Sequence, residues 1–155
     1  MKIRNAMRGA LAGAIGGVVG GAVKLMCEAI VPPRSPDREP PPGLLAANIV
    51  RRADGRRLSK VQRQCAATSA HWTFSVLSGA IHGVLVEARP SLENSQGIPF
   101  GLAIWIGMHE ILLPLTHATP TLKKLPRSEQ INECVTHCAY GLAVERTRRM
   151  VRSLL

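Results

Sequence analysis

Four blocks of apolar residues, separated by stretches rich in proline and charge, organise the chain. The first runs from about residue 9 to 31 and carries no charge before Lys24. At 1.5 Å per residue a helix of that length reaches about 35 Å, enough to cross a hydrocarbon core of about 30 Å. Within it Gly9, Gly13, Gly17 and Gly21 recur every fourth residue, with Gly16 and Gly20 beside them. In water each interior glycine costs a helix about 1 kcal/mol relative to alanine. In lipid the same groove lets a second helix come close. The next stretch, residues 32–43, is so dense in proline that it predicts an extended, polyproline-like connection outside the hydrocarbon. Residues 44–50 then predict a short interfacial helix, with Arg51, Arg52, Arg56 and Arg57 reaching lipid phosphates.

The second block covers residues 65–86, and Ser59 followed by Gln62 supplies a capping-box start ahead of it. Gln64, Thr68, His71, Ser75, Ser78 and His82 follow one stripe at helical spacing, beside a small-residue groove of Ser75, Gly79 and Gly83. Such a helix points its polar face into a bundle and its other face to lipid. The third block spans residues 98–119, with Pro99 near its first turn and Pro114 placed to kink or end it. The fourth, residues 131–144, is short for a span and is interrupted by Glu133 and His137. It is read as a full span, with a buried or interfacial helix as the alternative. The predicted fold is all-α: a single membrane domain over residues 1–155, an integral bundle of four transmembrane helices with a proline-rich first loop. Lys2, Arg4 and Arg8 ahead of the first block resemble a secretory signal without a clean cleavage site, hence an uncleaved anchor. The basic N-terminus favours both chain ends inside.

Composition adjusts this picture. The 155 residues carry a net charge of +10, yet 46% are hydrophobic and only 3% aromatic. The charge admits a nucleic-acid partner until its placement is considered. Basic residues flank apolar blocks and form no aromatic-interleaved surface, so the expected partner is the phospholipid bilayer, with no nucleic acid. The shortage of aromatics belongs with glycine grooves, which predict a homo-oligomer or a membrane partner. Cys27, Cys65, Cys134 and Cys138 include no CxxC pair and suggest no zinc framework. Nucleophile-elbow, zincin, Walker and dinucleotide templates are all absent, so the chain is read as no enzyme and without a cofactor.

Candidate chemistry lies in ionisable residues placed within the apolar blocks. Lys24 and Glu28 are one turn apart and on the glycine side, where they can pair. Glu133 and His137 repeat that spacing, which suits a carboxylate–imidazole hydrogen bond or two ligands on one metal. With His71, His82, His109 and Glu110 they make a proposed intramembrane polar network. His71 and His82 lie about 16 Å apart along one helix and cannot share a metal. His109 and Glu110 are adjacent and face different ways, a poor acid–base pair. The network is read as pH-responsive or proton-linked, its histidines protonating between about pH 5 and 7. The alternative is a non-catalytic scaffold whose polar groups lock helices together, and behind it a metal or haem carrier.

The stretch from Lys24 to Pro36, KLMCEAIVPPRSP, resembles the YagU-like bacterial inner-membrane family. The resemblance rests on Lys24 and Glu28 leading into a turn of Pro32, Pro33, Arg34, Ser35 and Pro36. It continues through His71 with Phe74-Ser75, His109 followed by Pro114 and Thr119-Pro120, Glu133 with His137, and Glu145-Arg146. It implies a multi-span bacterial inner-membrane protein and brings no established reaction.

Overall fold

A computed structural model describes residues 2–34, 38–116 and 125–155, apart from the side chain of Asn94. Ser35 and Pro36 of the turn motif, and the third block's final residues together with Thr119-Pro120, lie outside the described residues. Every regular element described is helical: α1 (Ile3–Ile30), α2 (Pro41–Asp54), α3 (Lys60–Ala88), a 3-10 stretch (Pro90–Ser95), α4 (Ile98–Ile106), a π-helical segment (Gly107–Leu112), α5 (Leu113–Leu115) and α6 (Arg127–Arg152).

Local chemistry explains where these elements start and change. Ser59 Oγ accepts the Gln62 N–H at 3.2 Å, and the Gln62 side chain accepts the Ser59 N–H at 2.9 Å. This reciprocal cap opens α3. The proline-rich connection is shorter than the sequence suggests, because Pro41 and Pro42 begin α2. At the first helical positions proline's missing N–H has no partner to lose, and its fixed φ already suits a helix. Helix α2 ends at Gly55, whose φ of 73° is left-handed. Pro114 neither donates to the carbonyl four residues back nor tolerates it at helical distance. The preceding turn widens into the π segment, and the helix ends at Leu115.

The long helices run alternately up and down. Helix α1 lies antiparallel on α3, with Gly9, Gly13 and Gly17 backed against Gly83, Gly79 and Ser75. Its other glycine face takes α6: a Cβ on Gly16 would stand 2.6 Å from the Val144 carbonyl oxygen, and one on Gly20 2.6 Å from Val144 Cγ2. Helix α4 packs on the far side of α6, where Gly97 and Gly101 meet Gly141 and His137. The groove of Gly9, Gly13, Gly17 and Gly21, expected to face another subunit, is therefore filled by the chain's own α3.

Burial is inverted relative to a water-soluble bundle. Met7, Leu11, Ile15 and Val18 form an exposed stripe on α1, as do Leu77, Ile81 and Leu85 on α3. The fully buried side chains include Arg148, Glu145 and Thr136. Two stretches, Ile3–Ile30 and Ile98–Leu115, are long and apolar enough to cross a membrane. Helices α3 and α6 carry too many polar residues to pass the same test, so four spans do not follow from composition.

Candidate functional site

Glu133, on the first half of α6, is the centre of the site. It is 4% exposed, and its carboxylate is approached from four elements. Arg34 from the connection after α1 donates to Oε1 at 2.6 Å. Around Oε2 stand Lys24 Nζ of α1 at 3.6 Å, His109 Nε2 of the π segment at 3.5 Å and His137 Nδ1 of α6 at 3.6 Å. None of these is a hydrogen bond, and Oε2 is buried without a hydrogen-bond partner. Lys24 also pairs with Glu28, one turn further along α1.

The imidazoles are held by different means. His137 Nδ1 lies 2.7 Å from the Glu133 carbonyl oxygen. The carboxylate–imidazole hydrogen bond inferred from the spacing is thus replaced by one to the backbone. His109 sets its ring edge-on to that of His137, with centroids 5.4 Å apart. Its place is a product of Pro114: the widened π turn brings His109 inward and leaves Glu110 exposed. Glu110 therefore drops out of the network. His71 is half-buried, with Nε2 3.2 Å from the Gly21 carbonyl oxygen. Lys24, Glu28, Arg34, His71, His109, Glu133 and His137 all line one cavity of about 360 Å³ among α1, α2, α3, the π segment and α6.

His82 belongs elsewhere. Its Nε2 is 2.9 Å from Glu145 Oε2, at the opposite end of the bundle. Arg148 forks onto both Glu145 oxygens at 2.8 Å and reaches Glu93 at 2.7 Å. Arg149 adds a bond to Glu145 Oε1 at 2.7 Å, and Phe100 stacks on His82 at 4.2 Å. Glu145 is 0% and Arg148 1% exposed, so Arg148 is a core cation and not a lipid-phosphate contact. Sequence reasoning missed this cluster, although Glu145 three and four residues before Arg148 and Arg149 was a usable signal. Between the two charged ends, the Tyr140 hydroxyl donates to the Ser75 carbonyl at 2.9 Å and shares a 2.8 Å bond with Ser78.

The connection between α1 and α2 is strapped across the site. Asn132 donates to the Pro32 carbonyl at 3.1 Å, Arg38 pairs with Glu129, and Arg63 forks onto Glu39 at 2.7 and 2.8 Å. The Arg63 guanidinium holds the Glu39 carboxyl below the usual carboxylate range. Pro33, within the strap, is buried.

His109, Glu133 and His137 place possible ligand atoms within 4.8 Å of one another. The charge around them does not fit a metal ion. Lys24 and Arg34 already face the same carboxylate, so a metal ion would have to compete with both cations for Glu133.

A family profile described as "Protein of unknown function (DUF1440)" matches residues 18–146. "Inner membrane protein YagU" of Escherichia coli (strain K12) is 30% identical over 83 residues, which cover 54% of this chain and 41% of that protein. The similarity thus spans less than half of the relative's length. No solved structure matches. The profile takes in α1 from its middle onward, the strap, the Glu133 cavity and, of the second cluster, His82, Glu93 and Glu145 but not Arg148 or Arg149; the chain belongs to this YagU-like, DUF1440 family.

Proposed function

We propose that the chain is a non-enzymatic, multi-pass bacterial inner-membrane protein whose cavity around Glu133 responds to, or conducts, protons. The observation that carries this is the buried Glu133 Oε2, unbonded amid three nitrogen groups at 3.5–3.6 Å. An intramembrane carboxylate held close to imidazoles is the usual furniture of a proton relay. The groups facing it are Lys24 and Glu28 from α1, Arg34 from the strap, His71 and Tyr140 across the cavity, and His109 and His137 beside it. Ser75, Ser78 and Tyr140 continue the polar line toward His82.

Four spans are part of this reading. With 29 and 26 residues, α3 and α6 reach about 44 and 39 Å. Their polar faces turn inward, while Leu77, Ile81, Val135 and Leu142 turn outward as lipid would require. The bilayer is then the main partner, and any second copy docks on these apolar stripes.

Vesicles containing the protein and an internal pH dye test the proposal. A pH gradient should collapse about tenfold faster than in protein-free vesicles, and Glu133→Gln should remove the difference. Absence of flux, together with His109 and His137 NMR signals that do not titrate between about pH 4 and 8, overturns it. A second reading, a membrane scaffold, draws on the closed Glu145–Arg148 network. It expects His71→Ala and His137→Ala to lower stability, with any phenotype following protein abundance.

A further inference from the structure

The cavity has a second property besides its charged end. Its volume of about 360 Å³ lies within the range of sites that enclose small molecules, roughly 300–1,000 Å³. Leu25, Leu45, Trp72, Ile104, Met108 and Leu112 give it walls of hydrocarbon and indole. We infer that it binds an uncharged amphiphile with a hydroxyl head, the apolar body lying along those walls and the hydroxyl donating to Glu133 Oε2. The inference rests on the reading of this cavity as the working site, and names what fills it.

Three observations select that chemistry. The charged end contains two cations, Lys24 and Arg34, and two carboxylates, Glu28 and Glu133, already joined as Lys24–Glu28 and Arg34–Glu133. A charged head would find no free counter-ion there, and an unpaired charge out of water is penalised heavily. Glu133 Oε2 is a buried acceptor without a donor, so the head must bring a hydrogen. Lys24 and His109 lie 3.6 and 3.5 Å from that oxygen without bonding to it, which leaves donors for the head's own lone pairs. A hydroxyl both gives and accepts; an ether or ketone only accepts.

The test uses the full chain in lipid nanodiscs at one fixed pH, so that failure of proton flux leaves it unaffected, and its own failure leaves flux unaffected. Dodecanol bearing a diazirine is photolysed in the presence of dodecanol, its methyl ether, dodecanoate or dodecylammonium as competitor, and the labelled peptides are mapped. Label should concentrate on Trp72, Ile104 and Met108. Dodecanol should displace it about tenfold better than the ether, the factor that one lost hydrogen bond of about 1.4 kcal/mol produces. The charged competitors should be weaker still. Leu45→Trp, or Ala70→Trp should the first fail to fold, narrows the cavity mouth and should abolish labelling. Label spread over the outer apolar stripes overturns the inference. So does an ether, carboxylate or ammonium that competes as well as the alcohol, or a folded Trp variant that labels normally.

Discussion

Arg148 is buried because Glu145 and Glu93 meet its guanidinium, and the buried Glu145 carboxylate depends on it in return. Deleting one member of such a group is worse than replacing the group, because the remaining charge is stranded out of water. Arg148→Met is expected to lower stability by about 3 kcal/mol or more in denaturant titration of the detergent-solubilised protein. Combining it with Glu145→Leu should recover part of that loss, a coupling that a double-mutant cycle reads directly. At Gly13 the limit is steric. A Cβ there collides with the Gly79 carbonyl oxygen, which belongs to a helix backbone and has little freedom to yield. Gly13→Val should force α1 off α3 and cost about 1–3 kcal/mol by the same titration, whereas Gly107→Ala, with open space at its Cβ, should be nearly silent.

At the scale of elements, what could be read from the chain was what short-range chemistry decides. The capping pair Ser59 and Gln62 marks the start of α3 because both partners lie within one turn. Ser59→Ala should therefore cost about 1 kcal/mol, measured as loss of helicity or thermal stability. The glycine periodicity of α1 foretold close helix approach, but not that the helix received would come from the same chain. Lys24 and Glu28 could be paired from spacing alone. His109 and Glu110 were both assigned to the network, and spacing could not separate them, since the inward direction of His109 follows from a π turn that adds a residue to the register. Pro114→Ala restores the missing donor and lets that turn rewind. Removal of the extra residue rotates His109 by about 100° relative to α4. The expected readout is loss of the NMR proximity between the His109 and His137 rings. The Glu145 cluster escaped for a different reason: beyond the local spacing of Glu145 to Arg148 and Arg149, its partners Glu93 and His82 are brought in only by tertiary packing.

For the molecule as a whole, the strap over the cavity adds a pH dependence outside the bundle. Glu39's carboxyl is held below its ordinary range by Arg63, so their bond supports the strap at neutral and mildly acid pH. That support is lost as the pH falls through the lowered value, beneath the ordinary carboxylate range. A spin label at position 40 should gain mobility there, and Glu39→Gln should show the mobile spectrum already at neutral pH. Inverted burial has a further consequence for solubilisation. Stripes such as Met7, Leu11 and Ile15 need apolar cover, while the interior is held by charge pairs that ionic strength reaches poorly.

The two glycine faces of α1 also fix an order of biosynthesis. The face toward α3 can close as soon as residue 88 has emerged, giving an early hairpin. The face of Gly16 and Gly20 has to wait for Val144 and Tyr140, near the end of translation. Until then α1 presents lipid with a furrow of exposed backbone. On the four-span reading, helix α6 enters the bilayer against that furrow, which brings Glu133 to Lys24 of α1. On that reading, truncation before residue 127 should leave a hairpin of α1 and α3 whose Gly16 and Gly20 face is uncovered.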